Sequence, residues 1–171
     1  MSRLPLALAA LLLWSCSHEG NRPPAEQAAA DTSPGGVPTV AARPTGACGY
    51  ISESDASRVL DQASAFRAHA PTSPTCTIAP RSGDAFRGVS VDFRVSRGTT
   101  RMYAFLAAQK QSERVGGVGD SARWLAAGDT RGNLVVVKCT DEVALTISDF
   151  SGTGGLKARA RAFAAKVLER M

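Results

Sequence analysis

The sequence predicts an α+β domain in which helices pack against an antiparallel sheet, and three observations support this fold class. Residues 88–96, GVSVDFRVS, alternate apolar and polar side chains with the period of a half-buried strand. Residues 133–148, NLVVVKCTDEVALTIS, hold two apolar runs around a short polar turn, which is typical of a hairpin. Residues 154–171 repeat apolar side chains at helical spacing. Because no regular strand-helix-strand order links these elements, an antiparallel sheet is favoured over a parallel one.

The first half of the domain is expected to form one helix and two strands. Residues 50–61, YISESDASRVLD, predict a helix that begins at Ser52, with Asp55 three residues on as in a capping box. Residues 75–80, TCTIAP, predict a short strand that precedes the alternating one. The inward-facing side chains expected of these elements are Val59, Leu60, Cys76, Ile78, Val89, Val91, Phe93 and Val95.

The second half is expected to form two helices and three strands. Residues 99–111, TTRMYAFLAAQKQ, predict a helix whose apolar stripe covers the sheet, and residues 122–127, ARWLAA, predict a strand. The hairpin should turn near Thr140-Asp141-Glu142, and the last helix should carry a second apolar stripe. The inward-facing side chains expected here are Met102, Phe105, Leu106, Gln109, Val143, Leu145, Ile147, Leu156, Ala160, Phe163, Val167 and Met171.

Size and charge limit what the chain can be. Its 171 residues, 44% of them hydrophobic, suffice for one domain with its own core and are too few for two. The formal charge of +5 arises from 20 Lys+Arg against 15 Asp+Glu and is spread along the chain. Since aromatic residues make up only 6% and none are interleaved with a basic run, the sequence argues against nucleic acid as a partner.

The first fifteen residues are predicted to be a signal peptide. Arg3 supplies a positive start, and the apolar stretch Leu4–Trp14 that follows is too short to span a bilayer as a stable helix. The alternative is that this segment is an ordinary secretory signal that happens to precede Cys16 and is cut elsewhere.

The four residues Leu13-Trp14-Ser15-Cys16 resemble the lipobox of bacterial lipoproteins. The resemblance implies cleavage before Cys16, a diacylglycerol on its sulfur, and acylation of the new amino group with a chain such as palmitate. Two or three acyl chains would anchor the protein firmly in a membrane, whereas one chain anchors only marginally. Ser17, rather than Asp, after the cysteine implies sorting to the outer membrane if the cell has one.

Residues 16–44 are expected to form the lipidated cysteine and a flexible tether. They consist mainly of Ala, Pro, Gly, Thr and small polar residues, and such a segment buries too little apolar surface to offset the entropy of ordering it. The folded domain is therefore expected over residues 45–171.

The remaining cysteines are expected to reflect an oxidising compartment. We expect a disulfide between Cys48 and Cys76, which would tie the start of the first helix to the first strand. Cys139 is then left over, either as a buried small apolar side chain, which we favour, or as a reactive thiol. A zinc site built from these three cysteines and His69 lacks the usual ligand spacing, so no metal is expected.

Two glycine-rich stretches resemble ligand-binding motifs. Gly117, Gly119 and Ala122 match G-x-G-x-x-A, but a dinucleotide site needs a strand before this turn and a helix after it. A turn that brings Trp124 into the core is the favoured interpretation. Residues 151–159, SGTGGLKAR, could hold an anion on free backbone N–H groups but lack the Walker spacing, so a plain helix entry is favoured.

The last helix is rich in basic residues, which flank its apolar stripe on both sides. These side chains could contact an anion or lipid headgroups, although a solvated helix face is the commoner outcome. The residues concerned are Lys157, Arg159, Arg161, Lys166 and Arg170.

No catalytic residue and no cofactor are expected from the sequence. His69 is the only histidine of the predicted domain, and no nucleophile or metalloprotease motif surrounds it. The pair Asp141-Glu142 falls at the predicted turn, where solvation is the ordinary explanation for neighbouring carboxylates.

Residues 47–171 resemble the small uncharacterised lipoprotein domains of bacterial envelopes. The resemblance lies in ACGYISESDASRVL, PTCTI and VGGVGDSARW, followed by a hairpin and a final helix. It implies a fold and an envelope location, and no activity. We expect a lipid-anchored, non-catalytic interaction module that contacts an envelope protein, an anionic lipid or a glycan. The alternatives are a carrier or sensor of a small apolar ligand held between the sheet and a helix and, third, an enzyme.

Overall fold

A computed structural model describes residues 43–67, 72–80 and 88–171, with the side chains of residues 64–67 left out. The predicted signal peptide, Cys16, nearly all of the predicted tether and His69 lie outside the described residues. In chain order the helices are α1 (Glu53–Leu60), α2 (Arg101–Ala108) and α3 (Leu156–Leu168), with a 3₁₀ turn at Ala47–Tyr50. The strands are β1 (Ser64–Arg67), β2 (Thr75–Pro80), β3 (Val89–Ser96), β4 (Glu113–Arg114), β5 (Ser121–Ala126), β6 (Arg131–Lys138) and β7 (Asp141–Asp149).

The described strands form one antiparallel sheet in the order β1-β2-β3-β7-β6-β5-β4. Two meanders, β1-β2-β3 and β4-β5-β6-β7, join where β7 pairs with β3 along eight residue pairs. Sequence neighbours are therefore sheet neighbours except at β3, whose chain must leave the middle of the sheet to begin β4 at the far edge.

One face of the sheet carries the hydrophobic core, which α3 and α1 cover. Phe93 of β3 and Phe163 of α3 meet edge to face with ring centroids 5.2 Å apart, a favourable aromatic geometry. The side chains of this sheet face are Cys76, Ile78, Val89, Val91, Phe93, Ala122, Trp124, Leu134, Val136, Val143, Leu145 and Ile147. Alternation along each strand places them all on the same side.

The expected α+β fold class is correct, and the local signals predicted most elements. Ser52 caps α1, accepting a hydrogen bond from the Asp55 backbone N–H at 3.1 Å. The hairpin turns at Cys139-Thr140, before the carboxylates rather than at them. Val59 and Val95 are half-buried rather than buried.

A disulfide joins Cys48, in the 3₁₀ turn, to Cys76 of β2, with the Cα atoms 5.0 Å apart, which confirms the expected pair. The favoured placement of Cys139 was wrong. It lies exposed in the hairpin turn with φ of 56°, because β6 and β7 stay in register up to the two residues that close the turn.

Candidate functional site: a groove beside helix α2

The position of α2 follows from the topology of the sheet. The chain leaves β3 at Ser96 and must reach the outer edge at Glu113, so it crosses β7, β6 and β5. It does so on the face opposite α3, where α2 packs against those three strands. Leu106 is buried at this contact and lines the same surface as Val135.

A buried carboxylate fixes the start of α2 to the sheet. Glu142 of β7 is only 2% exposed, and its Oε2 accepts a hydrogen bond from the Tyr103 backbone N–H at 2.7 Å. An acceptor with negative charge at a helix N-terminus satisfies one of the free N–H groups there. The expectation that Glu142 is solvated was therefore wrong. β7 begins at Asp141, so Glu142 already belongs to the strand, and its side chain lies under α2.

A groove of about 610 Å³ lies beside α2, along the part of the sheet that the helix does not cover. Met102, Phe105 and Leu106 form one wall, and the outward-facing side chains of β2, β3, β7, β6 and β5 form the floor. The floor residues of this face are Thr75, Thr77, Asp92, Arg94, Leu125, Asn133, Val135, Ala144 and Thr146. We call this site the α2 groove.

The floor divides into a polar and an apolar part. Thr77 donates a hydrogen bond to Asp92 at 2.6 Å, and Thr146 donates one to Asn133 at 2.7 Å, so the polar part is organised by cross-strand pairs. Val135 and Ala144 form the apolar part next to Leu106. An occupant of the α2 groove would meet apolar surface at the helix and hydrogen-bonding groups further out.

The apolar stripe of α2 is only partly covered, which corrects the sequence expectation. Of its members only Leu106 is buried, whereas Met102 is 42% and Phe105 58% exposed. Ala104, Ala107 and Ala108 are exposed as well, and no charged residue lies between Arg101 and Lys110. The stripe remains open because α2 packs on β5, β6 and β7, while the strands beyond its edge carry polar side chains.

The basic residues predicted to contact anions on α3 are mostly occupied by carboxylates of the domain itself. Four of the five form ion pairs: Lys157 with Glu113 at 2.8 Å, Arg159 with Asp149 at 3.2 Å, Lys166 with Glu169 at 2.9 Å, and Arg170 with Asp55 at 3.2 Å. Arg161 is exposed and packs along Gly117. Nothing in the structure tests headgroup contact by these residues, which stays a prediction.

The strongest of these pairs shapes the loop before α3. Asp149 is 2% exposed and accepts hydrogen bonds from the Ser151 backbone N–H at 2.9 Å, the Thr153 hydroxyl at 2.8 Å and the Arg159 guanidinium. Burial alone would raise the pKa of Asp149, but the hydrogen bonds from Ser151 and Thr153 and the charge of Arg159 outweigh it and lower the pKa. Asp149 therefore holds the loop at Ser151 and Thr153 and the first turn of α3 together. Extending the alternation Val143, Leu145, Ile147 by one step would have predicted its burial.

The glycine-rich stretches form turns. Gly117 and Gly119 have positive φ and precede β5, and no helix follows them, so the dinucleotide pattern lacks its structural context. Trp124 is buried, as the favoured interpretation predicts. Gly155 precedes α3 in the left-handed region without a side-chain cap, and a cavity of about 600 Å³ beside it is lined by Arg114, Lys157 and Arg161 among others.

Among the described residues no group of three or more histidine, cysteine or acidic side chains is arranged to hold a metal ion. Within the same residues, no helix has the length and hydropathy needed to cross a membrane. Comparison of the chain with protein-family models, curated proteins and solved structures produced no match in any of the three. Function must therefore be argued from the α2 groove and the surface of α2.

Proposed function

We propose that this protein is a lipid-anchored, non-catalytic binding module of the bacterial envelope, and that the α2 groove with the exposed side of α2 is its contact surface. The observation that carries the proposal is that every exposed residue of α2 after Arg101 is uncharged, and that Met102 and Phe105 are among them. A helix at a water interface normally turns polar side chains outward, and α1 and α3 do so. Adjoining exposed apolar residues typically mark an interaction site.

Export is supported by the disulfide and by the sequence of the first sixteen residues. The Cys48–Cys76 bond fits an oxidising compartment. The lipobox-like residues before Cys16 suggest an anchor, and the Ala/Pro-rich residues that follow suggest a tether that lets the domain reach its partner.

The anchor is tested by Cys16→Ala in cells fed a labelled fatty acid. We expect loss of label and accumulation of the uncut precursor, while continued labelling would refute the anchor. A non-reducing peptide map gives an independent check. A disulfide-linked peptide joining Cys16 to Cys139 in the membrane fraction would overturn the proposal, because a sulfur in a thioether cannot form that bond.

The contact surface is tested by photo-crosslinking in cells. A photoreactive amino acid replaces Phe105, and a matched variant carries it at Ala162, which is exposed on α3 on the opposite face of the sheet. We expect adducts at position 105 that are absent at position 162. Equal adducts at both positions, or none at either, would remove α2 as the contact surface.

A carrier of a small apolar ligand is the second candidate, favoured by the volume of the α2 groove. About 610 Å³ lies within the range of small-molecule pockets. Native mass spectrometry of protein purified from its own membranes separates the two functions. A bound small molecule that Leu106→Trp displaces would support the carrier, whereas a ligand-free spectrum would support the binding module.

A further inference from the structure

We infer that the exposed side of α2 docks on the surface of an anionic lipid bilayer. The inference deepens the proposed function by naming the partner of the same surface, and it rests on that function only in placing the domain beside a membrane.

The first step is the shape of the apolar surface. Met102 and Phe105 are the large apolar side chains that α2 exposes, and its other exposed residues after Arg101 are alanines. Small residues beside two large ones leave an exposed apolar surface, and a bilayer interface can accept such a surface without a matching cavity. Helices that lie in the interface bury such a face to a shallow depth between the headgroups.

The second step is the charge around this patch. From Arg94 to Lys110 the chain holds four basic residues and no acidic residue. Arg97 is engaged with the Tyr50 hydroxyl and the Pro44 carbonyl. Arg94, Arg101 and Lys110 are exposed, and none pairs with a carboxylate among the described residues.

The rim therefore complements an anionic surface. Arg101 begins α2, Lys110 follows its end, and Arg94 lies in the groove beside Met102 and Phe105. An apolar centre flanked by arginine and lysine is the pattern of interfacial helices, in which the cations meet lipid phosphates. The groove also holds one carboxylate, Asp92, which accepts a hydrogen bond from Thr77.

The third step is the contrast with α3, which the sequence had favoured for headgroup contact. Three of its four basic residues, and Arg170 just after its end, form ion pairs with carboxylates of the domain, so little of the positive charge there is available. Arg94, Arg101 and Lys110 form no ion pair with the described residues and adjoin apolar surface, whereas the exposed side of α3 has no large apolar side chain. Of the three described helices, α2 is the one that combines exposed large apolar side chains with cations that form no ion pair among the described residues.

The fourth step is where the chain enters the domain. The Pro44 carbonyl accepts a hydrogen bond from the Tyr50 hydroxyl at 3.3 Å and one from Arg97 at 3.4 Å, so the described chain begins beside the β3–α2 connection. An anchor attached through this end keeps α2 at high local lipid concentration, and even a weak docking surface is then occupied.

The test uses the chain from residue 16 onward with Cys16→Ser, so that no acyl chain contributes. Cosedimentation is measured with vesicles of phosphatidylcholine alone and with vesicles that also contain phosphatidylglycerol, at low and high salt. We expect binding to the anionic vesicles that falls with salt, and much weaker binding to phosphatidylcholine. Equal binding to both, or none to either, would overturn the inference.

Variants locate the binding surface. Arg101→Gln and Lys110→Gln should each weaken binding about fivefold, as expected for one cation near an anionic surface. Phe105→Ser should weaken it about tenfold or more, through lost apolar contact. The matched control is Arg161→Gln, which removes the same charge from α3, and it should bind like the parent chain. An equal loss in the control would overturn the assignment to α2.

Folding of the variants is checked by thermal melting, where little change is expected because the altered side chains are largely exposed. Because the vesicle assay needs no acyl chain, its failure leaves the anchor and the crosslinking result standing. Conversely, crosslinking of position 105 to a single protein, with no vesicle binding, would keep the proposed function and overturn the lipid partner.

Discussion

Removal of the Cys48–Cys76 disulfide should cost a large part of the stability of the domain. The bond closes a segment with a sequence separation of 28. On the chain-entropy model, a loop of this length stabilises the folded state by about 3.5 kcal/mol, since its unfolded ensemble is restricted. A domain typically has only about 5–15 kcal/mol in total, so the loss would be plain in any unfolding curve.

Cys48→Ala is the variant of choice. Cys76 is fully buried beside Phe93, and its thiol can stay there as a small apolar side chain, so no cavity is created in the core. Cys48 is half-buried, and its truncation removes little packing. With about 4 °C per kcal/mol for a domain of this size, we expect the melting temperature to fall by about 14 °C.

Urea denaturation measures the free energy of unfolding of the wild type and of Cys48→Ala, each with and without reductant. In reductant the two proteins should agree to within about 1 kcal/mol, because the bond is absent from both. A loss below about 1 kcal/mol in Cys48→Ala under oxidising conditions would refute the reasoning that this loop is held mainly by its crosslink.

Three further predictions concern buried polar groups and close packing. Because the pKa of Asp149 is lowered in the folded state, its charge stabilises the fold above pH about 4 and this contribution is lost as the pH falls further. In urea titrations Asp149→Asn should therefore be less stable than the wild type at pH 7, with a difference that shrinks in acid; a constant difference would contradict this. Glu142→Ala leaves the Tyr103 N–H without its acceptor, which should cost about 1–2 kcal/mol and speed amide exchange in α2 but not in α3. Glu142→Gln, which keeps an acceptor, is its control, and unchanged exchange in the alanine variant would contradict the anchoring role. Gly132→Ala places a methyl group against the ring of Trp124, so we expect a loss of about 1–3 kcal/mol and a red-shifted tryptophan emission, and a wild-type spectrum would contradict this.

Local sequence signals predicted the elements because they depend on neighbours along the chain. Alternation identified β3 and β7, a capping residue identified the start of α1, and helical spacing identified α3. The disulfide followed from the number of cysteines and an expected oxidising compartment. The elements depend on side chains a few residues apart, and the disulfide depends on the redox state of the compartment.

The two errors near the site have a common origin. The sequence places apolar residues on one side of α2, but it does not state how far the sheet extends beneath them, so Met102 and Phe105 were expected to be covered. Glu142 was expected to be solvated because it lies next to a turn, yet the crossing of α2 above it makes it a buried cap. Both depend on which strand lies beside which.

By itself the sequence predicted the α+β fold class and the Cys48–Cys76 disulfide, because periodic side-chain patterns and the number of cysteines can be read along the chain. Only the tertiary structure decided which charges are available for binding. The ion pairs of α3 and of the residues just after it join side chains as far apart in sequence as Asp55 and Arg170, and such pairing is set by the packing of helices rather than by sequence spacing. Of the described helices, α2 is the one that packs on the other face of the sheet, and Met102, Phe105 and Arg101 remain exposed there.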